Sequence, residues 1–194
     1  MSYTTIDDPS EYFQTKIYTG TGSSNAITND GNSDLQPDWI WGKARNQTYN
    51  HNLFDTSRGL TKRITSDQVD AENTDSTTIT AVGSDGFTLG TSANLNGSSV
   101  NYVAWQWKAN GGTTASNSDG GITSTVQADT TAGFSIILYT GTGSTSSVGH
   151  GLGDTPDWII YKRRSGGTRD WIIFHQSTGS KGMILNSTSA GDTA

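Results

Sequence analysis

Apolar and polar residues alternate with a period of two along most of this chain, and no stretch sustains a period of 3.6 over three turns. The alternation predicts strands at residues 12–18, 39–41, 52–55, 61–65, 77–82 and 86–90, and again at 133–139 and 171–175. The clearest predicted strand covers residues 100–108. It sets Val103, Trp105 and Trp107 on one face and Tyr102, Ala104, Gln106 and Lys108 on the other. Trp39 and Trp41 share a face by the same rule. Their counterparts Trp158 and Ile160 keep that face apolar, so it is the expected core face. Pro37 fits the start of its strand, where a missing N–H costs no ladder bond.

A motif is written twice. Tyr18-Thr19-Gly20-Thr21-Gly22-Ser23 precedes Pro37-Asp38-Trp39-Ile40, and Tyr139-Thr140-Gly141-Thr142-Gly143-Ser144 precedes Pro156-Asp157-Trp158-Ile159. The spacing of about 120 residues is too long for a stacked solenoid repeat and suits two consecutive domains of one type. The stretch from Trp171 to His175 answers Asn52-Leu53-Phe54-Asp55, with Phe174 for Phe54, Gly179 for Gly59 and Ile184 for Ile64. Nothing answers Asp85-Gly86-Phe87-Thr88-Leu89-Gly90 or the Tyr102-to-Lys108 strand. The second copy is therefore expected to be incomplete, with an unpaired sheet edge and an uncovered core. Either these residues are the N-terminal portion of a longer protein, which is the simpler reading, or the missing strands come from another chain. The expected division is a lead-in over residues 1–12, a first module over 13–110, a Gly/Ser/Thr-rich flexible linker over 111–132 and a truncated second module over 133–194.

Composition sharpens the class. Small polar residues dominate, yet six Trp, seven Tyr and five Phe argue against disorder. Short polar turns between aromatic and β-branched clusters are the composition of an all-β sandwich or barrel. There is no cysteine, so the core alone must hold the fold. The N-terminus lacks the basic start and apolar run of a secretory signal, and no run of 18 apolar residues is present to insert into a membrane. A soluble protein made in the cytosol is expected. The formal charge of -6 divides unevenly: 7 Lys/Arg face 12 Asp/Glu through residue 110, and 5 face 6 from residue 111 onward. An acidic first half repels phosphates, and Lys162-Arg163-Arg164, the only basic cluster, reads as a solvated strand end, so nucleic acid is not an expected partner.

Chemistry-bearing patterns are sparse. Glu11 and Glu72 stand far apart and lack the paired carboxylates of a glycosidase. No Gly-x-Ser-x-Gly elbow and no phosphate loop occur. His51, His150 and His175 are not spaced as zinc ligands. Asp30-Gly31-Asn32-Ser33-Asp34 opens like a calcium loop, but Leu35 and Trp41 stand where the glycine and the bidentate glutamate belong, so it reads as an Asx-rich turn. No catalytic residue, metal ligand or cofactor is expected, and the chain is read as not an enzyme. The candidate exposed aromatics for stacking on a sugar are Tyr49, in a polar turn, and Tyr102, on the outer face of its strand.

Taken in series, these segments resemble a known family. Tyr3-Thr4-Thr5-Ile6-Asp7, Tyr12-Phe13-Gln14-Thr15-Lys16, the two motif halves, Asn50-His51-Asn52-Leu53-Phe54-Asp55 with Arg58-Gly59, Ser84-Asp85-Gly86-Phe87-Thr88-Leu89-Gly90 and Tyr102-Val103-Ala104-Trp105-Gln106-Trp107-Lys108 are similar to repeat-containing appendage proteins of marine tailed bacteriophages. The resemblance runs over nearly the whole chain. It implies an antiparallel β-sandwich (jelly-roll, concanavalin/laminin-G-like) module followed by a second, incomplete module of the same type. It also implies a structural virion protein, a tail fibre or tail-attached appendage involved in host-surface attachment and docked by residues 1–12. Its implied partners are other tail or capsid proteins, its own copies in a homo-oligomer such as a trimer, and a host surface glycan. The alternatives are a capsid decoration or head fibril protein and a carbohydrate-binding module outside a virion.

Overall fold

The alternating stretches do fold as strands. The structure, a computed structural model, describes residues 6–179 and 181–188. In chain order the strands are β1 (Phe13–Thr19), β2 (Asn25–Thr28), β3 (Trp39–Ala44), β4 (Asn52–Asp55), β5 (Lys62–Thr65), β6 (Asn73–Thr74), β7 (Ile79–Gly83) and β8 (Gly86–Leu89). After the short helix α1 (Ala93–Asn96) come β9 (Asn101–Trp107), β10 (Ala115–Asn117), β11 (Ser124–Asp129), β12 (Phe134–Leu138), β13 (Trp158–Tyr161), β14 (Ile172–His175) and β15 (Met183–Ile184). The helix is a single turn, as the missing 3.6 period implies.

Strands β1-β9-β3-β4-β5-β6 form a six-stranded sheet, and β2-β8-β7 form a three-stranded one. Every strand pairing in them is antiparallel. Ile40, Phe54, Tyr102 and Ala104 of the large sheet meet Ile27, Ile79, Phe87 and Leu89 of the small one, and Leu95 of α1 closes the end. Two antiparallel layers around one apolar core make a β-sandwich arrangement, because each sheet must bury one face.

The face assignment made from the sequence is reversed. Ile40, Gly42 and Ala44 point into the sandwich, whereas Trp39 and Trp41 lie on the opposite, half-buried face. The reason is steric: a Cβ on Gly42 would stand 2.6 Å from Leu95, so the inner row of β3 must be small where α1 crosses it. Tyr102 is likewise not on the outer face but fully buried. Its hydroxyl donates to the Ala93 carbonyl (2.6 Å) and accepts from the Gly97 amide (2.8 Å). Its ring stacks on Tyr18 at 5.3 Å, and the Tyr18 hydroxyl donates to the Leu95 carbonyl (3.0 Å). Burial pushes both phenols up, which keeps their donor protons in place. Tyr102→Phe is expected to cost about 1–2 kcal/mol in chemical denaturation, because the Ala93 carbonyl and Gly97 amide lose their partner inside the fold.

Residues 115–188 add two more three-stranded sheets, β10-β11-β12 and β13-β14-β15. The stretch 111–132, read as a flexible linker, therefore carries β10 and β11. Val126 and Gln127 are buried there, and β11 pairs with β12 from Thr125↔Leu138 to Asp129↔Phe134. Its Ser/Thr-rich composition hid a strand that β12 stabilises by pairing. Both sheets meet the outer face of the six-stranded sheet. Phe134 packs on Trp39 (5.8 Å) and Trp107 (6.2 Å), while Trp171, Ile160 and Leu185 join Leu53, Ile64 and Trp39 in a second cluster.

Candidate functional site

The outer face of the six-stranded sheet carries an aromatic ladder. Register places Phe13, Trp107 and Trp39 side by side across β1, β9 and β3, and Trp105 beside Trp41 one step further. The rings follow: Phe13–Trp107 at 4.7 Å, Trp107–Trp39 at 4.6 Å, Trp39–Trp41 at 5.9 Å and Trp41–Trp105 at 5.9 Å. Phe134 and the Trp171 cluster cover part of this face, and the β1 margin with Phe13 and Ile17 stays open. The ladder thus joins two halves of the chain and leaves an apolar margin.

Beside Trp41 lies a cleft of about 780 Å³ lined by His51, Ser66, Asp67 and residues 185–188. The Trp41 indole N–H donates to Ser66 Oγ (2.9 Å), and Asp67 Oδ1 accepts the His51 amide (2.9 Å). An indole next to a carboxylate and an imidazole is chemistry suited to stacking on a sugar and bonding its hydroxyls. Sequence reasoning missed this cleft, because it assigned Trp41 to the core. Tyr49 is half-buried and packs against the sandwich core, so neither it nor Tyr102 offers an open stacking surface.

Ionisable side chains serve as clamps between distant segments. The buried Asp38 carboxylate accepts the amides of Ala109 (2.8 Å), Gly111 (2.8 Å) and Gly112 (2.7 Å) and the Thr56 hydroxyl (3.0 Å). With the Gln127 amide nitrogen facing it, that group donates to Asp38 Oδ1 at 3.0 Å and Oδ2 at 3.1 Å. Arg58, almost fully buried, pairs with Asp55 and with Glu72 (3.1 Å). Arg164 grips Glu72 with two bonds, 2.8 and 3.0 Å. Lys162 donates to the carbonyls of Val69 (2.8 Å) and Arg169, and burial lowers its ammonium pKa. The basic cluster at 162–164 is therefore a strap onto the first half, apart from Arg163, which is exposed and bonds the neighbouring Gly166 and Thr168 carbonyls.

The remaining sequence candidates are occupied locally. In the 30–34 turn, Gly31 donates to Gln14 Oε1 (2.9 Å), Ser33 donates to Asp8 (2.7 Å), and Asp30 pairs with Lys16 (3.0 Å). Hydroxyls of Ser10 and Ser33 hold the Asp8 carboxyl below the usual carboxylate range. His150 Nδ1 accepts the Leu152 amide and His175 Nδ1 the Ser177 amide, each at 3.2 Å. Among the described residues no group of three His, Asp or Glu converges on a metal-sized site, and no helix is long and apolar enough to cross a membrane. Residues 1–5, part of the expected attachment segment, lie outside the described residues.

One family model, described as a domain of unknown function (DUF7483), matches residues 8–194. The chain belongs to the DUF7483 family. The match runs through both copies of the motif and through the stretch between them, so the family's unit includes the clamps at Asp38 and Glu72. No curated protein and no solved structure matches the chain.

In DUF7483 as this chain shows it, the two copies are alike where they fold alike. Trp39↔Asp55, Ile40↔Phe54 and Trp41↔Leu53 pair across β3 and β4; Trp158↔His175, Ile159↔Phe174 and Ile160↔Ile173 pair across β13 and β14 in the same register. They part company at the next strand. Leu53 pairs with Ile64, whereas Ile173 pairs with Met183 and not with Ile184.

Proposed function

We propose that this chain is a structural protein of a tailed bacteriophage particle, a tail fibre or tail-attached appendage that helps the particle meet its host surface. Its units are two sandwich modules of the jelly-roll, concanavalin/laminin-G-like type, the second incomplete. Docking to the particle falls to residues 1–12, and the protein works as a homo-oligomer such as a trimer. The observation that carries this reading is the repetition in matched register, Trp39-Ile40-Trp41 on β4 and Trp158-Ile159-Ile160 on β14. Duplication multiplies a surface, whereas a reactive centre is needed once. The use of buried charges as clamps agrees with a protein built to hold shape.

The test is immunogold electron microscopy of purified virions from a phage encoding this chain. Gold at the tail supports the reading. Gold over the head surface moves the protein to a capsid decoration or head fibril, and unlabelled particles whose mass spectra lack the chain overturn the virion assignment.

A second reading, a carbohydrate-binding module, is favoured by the cleft beside Trp41. A glycan array is expected to return hits that Trp41→Leu abolishes while the unfolding midpoint stays within a few degrees of wild type. An array without hits removes this reading and leaves the structural one standing.

A further inference from the structure

The first copy of the motif shows what its residues are for. All three of its distinctive members touch the stretch 96–112, which contains β9. A Cβ on Gly20 would stand 2.3 Å from the Gly97 carbonyl oxygen, so only glycine allows that approach. Tyr18 stacks on Tyr102. Asp38 takes the amides of Ala109, Gly111 and Gly112, just past the end of β9. β9 itself lies between β1 and β3 and is bonded to both.

The second copy keeps these three residues and shows none of the three contacts. Among the described residues, Gly141 has nothing within 4 Å of where its Cβ would stand. Tyr139, the counterpart of Tyr18, is 52% exposed. Asp157, the counterpart of Asp38, is exposed. β12 and β13, the counterparts of β1 and β3, belong to different sheets.

The open edge of β13 can be identified from its bonds. Gln176 N donates to the Asp157 carbonyl (2.8 Å), just as Thr56 N donates to the Asp38 carbonyl (2.9 Å). β13 therefore spends on β14 the edge that β3 spends on β4. Successive residues of a strand face opposite edges, so the amides of Trp158 and Ile160 face the open side. Trp158 and Tyr161 there are 56% and 46% exposed.

We propose that β13 receives an extended segment with the pattern of residues 96–112, carried by a further copy of the repeat. The segment pairs with the open edge of β13 and stands beside β12. Its Gly97-like carbonyl rests against Gly141, its Tyr102-like ring stacks on Tyr139, and its Gly-rich end donates amides to Asp157. Within the described residues the stretch with this pattern is already used between β1 and β3, so the first sandwich cannot supply it without coming apart. Specificity comes from the three contacts and affinity from main-chain bonds, as in other strand-addition complexes. Tyr161 stands where β3 has Gly42, so the slot takes the strand and excludes a helix packed as α1 packs. The proposal concerns a surface of this chain and does not depend on where the chain sits in a particle.

The test uses the 194-residue chain and a synthetic peptide of residues 96–112, with a scrambled peptide as control. At saturation, hydrogen exchange of the Trp158 and Ile160 amides is expected to slow at least tenfold, with no change under the scrambled peptide. Asp157→Ala, at an exposed position, is expected to keep the wild-type unfolding midpoint and to weaken the peptide about tenfold or more, since it removes charge-assisted bonds to amides. Unaltered exchange at β13 overturns the proposal. So does an Asp157→Ala chain that binds as tightly as wild type. If the chain alone sediments as a dimer with both amides already protected, the edge is closed by a second copy through another segment, and the proposal fails equally.

Discussion

Asp38→Ala is expected to remove roughly 4 kcal/mol of folding stability, the largest single loss among substitutions at the motif. The carboxylate is fully buried and accepts three backbone amides, the Thr56 hydroxyl and the Gln127 side chain. Alanine leaves the Ala109, Gly111 and Gly112 amides and the Gln127 amide without an acceptor; the exposed glycines can turn to water, whereas Ala109 and Gln127 are buried, and each buried orphan costs on the order of 1–3 kcal/mol. Relief from burying a negative charge offsets part of that sum, which is why the expected total stays near one full orphan pair. Asp38→Asn keeps one acceptor oxygen and is expected to lose about half as much. Urea titration followed by tryptophan fluorescence measures both. An unfolding midpoint for the alanine variant equal to wild type would show that the amides of 109–112 find water or another acceptor, and that Asp38 does not tie β9's end to β3.

How much of this was legible beforehand depends on how far apart the interacting residues lie. The bounds of β4 were read correctly because Asn52-Leu53-Phe54-Asp55 is a short apolar pair between polar residues, a purely local signal. Orientation was not legible at β3 and β9. The later sheets cover much of the outer face along β3 and β9, so these strands read apolar on two sides, and the larger Trp side chains attracted the core assignment. The inner row Ile40-Gly42-Ala44 looks weak in sequence only because α1 packs so closely over it. Strand β2 was not read from the sequence, since its one buried apolar residue, Ile27, gives no period to detect. The Glu72–Arg164 pair spans 92 residues and leaves no trace in local spacing. The cleft beside Trp41 brings 51 and 66–67 together with 185–188, which only the packing of the last sheet on the outer face could reveal.

Glu72→Gln is expected to cost roughly 2 kcal/mol at neutral pH and to flatten the acid limb of the stability profile. Burial alone would raise the Glu72 pKa. Hydrogen bonds from Arg164 and Arg58 outweigh burial and hold it below the ordinary glutamate value. A carboxyl with a depressed folded-state pKa contributes its full stabilisation above its unfolded value and loses it as pH falls through the folded value. Wild type should therefore lose stability on acidification over the window that begins near the ordinary glutamate pKa and extends below it. The glutamine variant lacks that component, so the two curves should converge at low pH. Arg58 retains Asp55 and the Leu53 carbonyl (3.2 Å), which limits the loss to well under that of an unpaired buried cation. Arg164 loses the ion pair and keeps at most one neutral bond, to the glutamine oxygen. Its release loosens the 162–170 connection, which the Glu72 amide on the Arg164 carbonyl (3.0 Å), the Arg169 amide on the Val69 carbonyl (2.9 Å) and Lys162 on the same carbonyl (2.8 Å) still hold, and trypsin is expected to cut the variant at Arg164 about twofold faster than wild type. Parallel pH profiles for the two proteins, or equal cleavage rates, would mean that Arg164 rests on Glu72 without holding the later sheets in place.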